Sequence, residues 1–262
     1  MPLTATGIHY ETAGAGDAVV FLHGVTLDGR MWRDQVSALD DRYRCISVDR
    51  RGHGRSQALR PGYDPIGDVE AVLADAGVTS CCVVGHSLGG WDAIRLAYRR
   101  PDLVASLVLV ASWFPLRPTE WAPPVEIARR QGVHAGRAAW LADPLFESAL
   151  SNRSVRARLA EMVESNDLGL WISDIPSAEP AVDPAELATT VRVPTLVVAG
   201  TLDLPGFVDV AAWLAANMAG AVPASPLLVK GAGHMLPMEA PVSFNRILER
   251  FLAEHTTPAA RT

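Results

Sequence analysis

Cysteine is scarce. The 262 residues include three, Cys45, Cys81 and Cys82. Each sits in an apolar run that reads as a strand, where neighbouring residues point to opposite faces. Free buried thiols are therefore expected, and a disulfide framework is not. Positive charge is also short. Acidic residues number 29 against 23 basic ones, a formal net charge of −6, which leaves nothing to neutralise a phosphate backbone and excludes nucleic acid as a partner. Lys230 is the single lysine, so every other basic residue is arginine, a compositional bias without mechanistic content. Long apolar runs are missing too. Proline, glycine or a charge interrupts each one before the roughly 20 residues needed to cross a bilayer, so no membrane span is expected. Met1 to Thr12 has no basic flank followed by an apolar run, so no secretory leader is expected and the location is read as cytoplasmic. No His or Cys pair has ligand spacing, and neither a metal nor another cofactor is implied.

What is present is the material of a folded domain. The composition is 49% hydrophobic and 20% charged, and the length suits one large domain or a domain carrying an insertion. Strand-like runs at Ile8 to Thr12, Ala18 to Leu22, Tyr43 to Val48 and Cys81 to Val84 alternate with helical patterns such as Asp64 to Ala76 and Trp91 to Arg99. This is α/β rhythm. The runs Ala18-Val-Val-Phe-Leu22, Leu107-Val-Leu-Val-Ala111 and Thr195-Leu-Val-Val-Ala199 are apolar at essentially every position, as parallel strands covered on both faces require. After Ser112 the rhythm stops. Prolines 115, 118, 123 and 124 open a strand-free stretch with helical spacing at Val125 to Arg130, Ala135 to Ala142, Val155 to Ser165 and Leu168 to Ile175. It is too long for a loop and predicts a helical cap over residues 115–189, inserted into a core domain made of residues 1–114 and 190–262. The strand pattern resumes near Val193, and a last strand at Pro226 to Val229 precedes a closing helix from Pro241 to Glu254.

The strongest chemical signal is Gly85-His86-Ser87-Leu88-Gly89, set between a strand ending at Val84 and a helix beginning near Leu88. A sharp strand-to-helix turn lifts the serine hydroxyl above the strand ends at a helix N-terminus. It also brings the residues two before and two after it so close that side chains there would collide. Ser87 is thus the candidate nucleophile. It needs a base, itself oriented by a third group. His234, in the turn Lys230-Gly-Ala-Gly-His234 after the last strand, is the candidate base. Asp203, in Gly200-Thr-Leu-Asp203 after the strand Thr195 to Ala199, is the candidate orienting acid, although its surroundings also suit a turn-forming aspartate. His86 reads as a packing or hydrogen-bonding residue. His23 and His53, in Gly-containing loops after strands, are candidates for shaping the site, and His9, His134 and His255 carry no signal. Backbone N–H groups for an oxyanion are expected from Leu88 and from the loop Phe21-Leu-His-Gly-Val-Thr26, at Val25 or alternatively at Thr26.

With these residues placed, the chain resembles the α/β-hydrolase fold family over nearly its whole length. The matches are Leu22-His23-Gly24, the run from Asp49 to Ser56, Gly85 to Gly90, Pro194 to Gly200 leading to Asp203, and Gly231 to His234 with Glu239 and Pro241. The resemblance implies a mostly parallel sheet of about eight strands flanked by helices, with the cap inserted after the sixth strand, and a cofactor-independent serine hydrolase. Within the family, the cap length and the run Glu126 to Asp143 are similar to the 3-oxoadipate enol-lactonase and small carboxylesterase branch. Leu204-Pro-Gly206 and the segment Ala219 to Pro226 depart from the usual pattern, so the substrate is not carried over.

The expected reaction is hydrolysis of a carboxylic ester or lactone of a small, largely apolar molecule through an acyl-enzyme on Ser87. C–C bond hydrolysis and cofactor-free perhydrolase or haloperoxidase chemistry use the same triad, and a non-catalytic receptor on the same fold stays open as well. Trp113, Thr26 and Trp140 are the expected substrate-lining residues. Trp121 and Trp171 could alternatively wall the pocket or pack the cap. Arg129, Arg130 and Arg137 could hold a substrate carboxylate or form a solvated face.

Overall fold

Adjacent residues of the central strands serve two different cores, and that alternation builds the layers. In the computed structural model, which describes residues 3–115, 122–178 and 182–255, the strands are β1 (Tyr10–Ala13), β2 (Ala18–Leu22), β3 (Arg44–Val48), β4 (Cys81–His86), β5 (Val104–Val110), β6 (Thr195–Gly200) and β7 (Leu227–Val229). Val19, Phe21, Cys82, Val84, Val108 and Val198 enter one apolar cluster, while Val20, Leu22, Cys81, Val83, Leu107 and Val197 enter the other. A strand pleat with both faces covered by helices gives this split.

The first face is covered by α1 (Arg33–Leu39) and α12 (Pro241–His255), the second by α2 (Pro65–Asp75), α3 (Leu88–Arg99), α9 (Pro184–Thr190) and α10 (Pro205–Asn217). Between β5 and β6 the chain leaves the sheet for α4 (Ala122–Gln131), α5 (Val133–Leu141), α6 (Glu147–Ser151), α7 (Arg153–Ser165) and α8 (Gly169–Ile172), whose buried residues join the first cluster. The short α11 (Leu236–Glu239) precedes α12. Helix starts carry their expected signals. Asp64 caps α2 ahead of Pro65 by accepting from the Ile66 N–H (3.0 Å), and Asp183 caps α9 ahead of Pro184.

The sheet order is β1-β3-β2-β4-β5-β6-β7, parallel except for β1. The chain runs from β2 to β3 on one side and then places β4 on the other side of β2. The connections after β2 and β4 therefore run to opposite sides of the sheet, which makes a switch point at the carboxyl ends of these strands, the usual ligand position in such sheets.

The sheet has seven strands among the described residues where about eight were expected, and the helical insertion follows the fifth strand of this sheet and not the sixth. The reason is local. The segment before β1 folds back through a turn at Thr4 to Gly7 and makes one isolated bridge, Leu3 to His9, in place of a ladder. For the same reason β1 begins two residues later than the apolar run suggests. His9 spends its backbone groups on the Asp49 N–H (3.0 Å) and the Ser56 hydroxyl (2.8 Å). At β5 the strand ends at Val110, because Ala111 turns to φ 44°. Helices α1, α6, α9, α10 and α11 were not expected as individual elements. In α10 the buried Phe207, Ala211, Leu214 and Ala215 follow helical spacing, so that helix was present in the pattern behind Asp203. Among the described residues no helix is long and apolar enough to cross a membrane.

All three cysteines are free and buried, and burial pushes each thiol up to about 12. A thiol reagent such as DTNB should therefore label none of them in the native protein and all three in denaturant. Fast labelling of any one under native conditions would contradict this packing.

Candidate active site

Ser87 occupies the one-residue joint between β4 and α3 with φ 51° and ψ −119°, a conformation that L-residues rarely adopt. The joint fits because residues 85 and 89 have no side chains. A Cβ on Gly85 would lie 2.4 Å from the Gly89 carbonyl oxygen, and one on Gly89 would lie 2.2 Å from the carbonyl oxygen of Leu22 at the end of β2. The first collision is the expected one, and the second, which was not expected, ties the elbow to the neighbouring strand. The turn is held by the Ser87 N–H donating to Val110 O (3.0 Å) and by the N–H groups of Gly90 (2.9 Å) and Trp113 (3.0 Å) donating to Ser87 O.

His234 and Asp203 come together, buried, with Nδ1 at 3.1 Å and 3.2 Å from the two carboxylate oxygens. Asp203 also accepts from the N–H of Leu204 (2.8 Å), which fixes its carboxylate in front of the ring. Two further groups hold the loop of His234. His86 places its ring 4.9 Å from that of His234, and its Nε2–H donates to the His234 carbonyl (2.9 Å). Glu239 accepts the N–H groups of both neighbours, Gly233 (2.9 Å) and Met235 (2.9 Å), and brackets the histidine. Burial, followed by the charge His234 would carry, drives the His86 imidazolium down to about 3, so His86 is a neutral ring with a fixed tautomer.

The loop after β2 lies directly against the elbow. A Cβ on Gly24 would fall 3.1 Å from Ser87 Cβ and 2.8 Å from His86 Nδ1, so only glycine permits the approach. His23 sets the orientation of the next peptide. The Arg50 N–H donates to its Nε2 (2.9 Å), which leaves the proton on Nδ1, and Nδ1–H donates to the Gly24 carbonyl (2.7 Å). In a trans peptide the N–H points opposite the carbonyl, so pinning Gly24 O also aims the Val25 N–H. Among the described residues neither the Val25 nor the Leu88 N–H donates to a partner. Thr26, the alternative donor, has φ 62°. Its hydroxyl donates to Val25 O (2.7 Å) and accepts the indole N–H of Trp140 (2.7 Å). His53 packs 5.3 Å from the His23 ring. Desolvation takes His23 well below its ordinary value and His53 down to about 4.

Of the expected lining residues, Trp113 is half-buried, bonded through its N–H to Ser87 and edge-on to Trp91 at 6.1 Å. Trp140 is almost wholly enclosed, edge-on to Phe146 (4.9 Å) and to Trp171 (5.0 Å). Trp121 lies outside the described residues. Arg129 and Arg137 donate to the backbone carbonyls of Trp171 and Asn166 (2.7 Å each), and Arg130 forms an exposed pair with Glu126. Arg129 and Arg137 thus tie elements of the helical insertion together, while Arg130 pairs within α4. His23, expected as a candidate for shaping the site, holds the loop after β2, whereas the role of Glu239 was missed although it stood inside a quoted motif. Among the described residues no three His, Cys, Asp or Glu side chains gather as a metal-ligand set.

A model of the alpha/beta hydrolase family matches residues 19–247. A pimeloyl-(acyl-carrier protein) methyl ester esterase of Nitrosomonas europaea is 42% identical over 105 residues, 40% of this chain and 41% of that one. Matches of this kind cover about two-fifths of the relative's length. A putative carbamate hydrolase RutD of Klebsiella pneumoniae is 31% identical over 260 residues, 93% of both chains. The enol-lactonase from Burkholderia xenovorans LB400 superposes with a TM-score of 0.78 at 27% identity, covering 94% of this chain and 96% of that one.

Three of the buried histidines, His23, His53 and His86, give a pH signature. Their folded-state values are depressed, so unfolding takes up protons below about pH 6.5, and their contribution is present above that value and lost as pH falls toward about 4. With up to three protons involved, stability should drop by about 2–4 kcal/mol per pH unit across this window, measured as urea midpoints between pH 7.5 and 4.5. A stability flat from pH 7 to 5 would contradict the neutral buried rings.

Proposed function

From the premise that the chain belongs to the alpha/beta hydrolase family, we propose that it is a serine hydrolase cleaving a carboxylic ester or lactone of a small, largely apolar molecule through an acyl-enzyme on Ser87. The observation that carries this reading is a serine held at φ 51° at the switch point of the sheet, next to His86, whose Nε2–H holds the carbonyl of His234 in a buried His234–Asp203 pair. Ser87 Oγ attacks the carbonyl carbon while His234 Nε2 takes its proton. Asp203 holds the opposite ring nitrogen and stabilises the imidazolium. The N–H groups of Val25 and Leu88 receive the oxyanion, at the N-terminus of α3 where the helix dipole favours negative charge. The imidazolium then protonates the leaving oxygen. A water activated by the same histidine frees the acid and restores Ser87.

The names of the relatives fit one chemistry. A methyl ester, an enol-lactone and a carbamate each present a carbonyl carbon bearing a heteroatom leaving group, and each was named for a different protein. Residues 115–189 act in this reading as a cap over residues 1–114 and 190–262, with Trp113 as an aromatic wall beside the nucleophile and Thr26 and Trp140 behind it.

The test is a panel of esters and lactones of graded size, assayed with wild type and Ser87→Ala. The variant should lose about 10⁴-fold or more in kcat on every substrate the wild type turns over. Comparable turnover by both proteins would overturn the assignment, whereas wild-type cleavage of a β-diketone alone would keep the residues and change the bond that is broken.

A further inference from the structure

One short segment of the helical insertion touches both halves of the proposed machinery. Trp140, near the end of α5, donates its indole N–H to the Thr26 hydroxyl (2.7 Å), and that hydroxyl donates to the Val25 carbonyl (2.7 Å). Ser148, in α6, donates its hydroxyl to Glu239 Oε2 (2.5 Å), the same oxygen that accepts the Gly233 N–H beside His234. There is no slack at the second contact, since a Cβ on Gly233 would lie 2.7 Å from Ser148 Cβ.

The piece between these two contacts is stiff. Asp143 accepts the Leu145 N–H (2.9 Å) and starts a turn through Pro144 to Phe146, and the Phe146 ring packs edge-on against Trp140 at 4.9 Å. Trp140, Leu145, Phe146 and Ala149 are all buried in the core cluster they share with β2 and β4. Displacing either end therefore displaces the other.

We propose that residues 140–148 form a clamp through which the docked insertion sets both the oxyanion loop and the base loop, with Trp140 and Ser148 as positioning residues that touch neither substrate nor reacting atoms. This rests on the roles given above to Ser87, His234 and the Val25 N–H. Thr26 sits at φ 62°, a backbone conformation that a threonine holds only when its surroundings fix it. The Trp140 bond supplies that fixing from above. Among the described residues Glu239 accepts three donors, and only Ser148 comes from outside the base loop. With that donor lost, the loop keeps its internal bonds and loses its tether to the insertion. Substrate binding to the pocket walls is affected little by either loss, so the effect falls on the chemical step.

The test uses Trp140→Phe, which keeps the ring and removes the donor, and Ser148→Ala, with a nitrophenyl ester and an alkyl ester of the same acid. Each variant should lower kcat about three- to ten-fold with KM within about twofold, the size of one lost hydrogen bond felt in the transition state. Trp140→Phe should slow both esters equally, because oxyanion formation is common to them. Ser148→Ala should slow the alkyl ester more, because its poorer leaving group needs the proton from His234. Ser148→Thr, which keeps a hydroxyl, should recover at least half of the wild-type kcat. If both Trp140→Phe and Ser148→Ala stay within twofold of wild type on both esters while Ser87→Ala is inactive, the clamp is wrong and the hydrolase reading stands. If Ser87→Ala stays active, the hydrolase reading has failed first and the clamp with it.

Discussion

The close approach of two backbones governs the strand ends of this protein. The elbow after β4 and the loop after β2 meet where no side chain could stand between them, with Gly89 against the Leu22 carbonyl and Gly24 against Ser87 and His86. That contact is possible because β2 and β4 are parallel neighbours, with Leu22 registered opposite Gly85. It is useful because β2 is where the chain changes direction across the sheet. A serine in a strained conformation and Gly24 thereby lie against each other from two separate loops. The strain at Ser87 is held by three backbone hydrogen bonds to its own peptide groups and by the buried strands beneath.

Around that contact, buried neutral histidines act as fixed hydrogen-bonding spacers. His23 links the β3 loop to the Gly24 carbonyl, and His86 links the elbow to the His234 carbonyl. At position 23 the two imidazole nitrogens, one acceptor and one donor, join groups that a hydroxyl is too short to reach, whereas His86 bonds through Nε2 alone. Burial keeps these rings uncharged, so they add no positive charge beside His234. Glu239 serves the other loop as an acceptor for successive N–H groups. The machinery is thus oriented by groups one step removed from the chemistry, as preorganised sites require.

Much of this was legible in the residues. Uninterrupted apolar runs marked the central strands because parallel strands are covered on both faces, and Gly85, Ser87 and Gly89 marked the elbow because sterics leave few alternatives. Asp203 and His234 followed from their places after strands, and the structure brings them together at hydrogen-bond distance. What was not legible depended on tertiary partners. The spacing around His23 says nothing of Arg50, 27 residues away, whose N–H fixes its tautomer. Nor does the sequence around Trp140, an expected lining residue, point to the bond between its indole N–H and Thr26, 114 residues distant in sequence. Helix α10 starts in Leu204-Pro-Gly206, read only as a departure from the family pattern, although proline at the first helical position is a start signal. The strand count came out lower because a single bridge at Leu3 and His9 leaves no trace in hydrophobic alternation.

The central claim is that Ser87, among all the serines of the chain, is the activated one. The most direct measurement is covalent: treat the native protein with a fluorophosphonate, digest it and map the adduct by mass spectrometry. One adduct on the peptide containing Ser87, formed at a rate that falls when His234 is replaced by Ala, is the predicted result. No adduct, or an adduct on another serine with Ser87 unmodified, would contradict it.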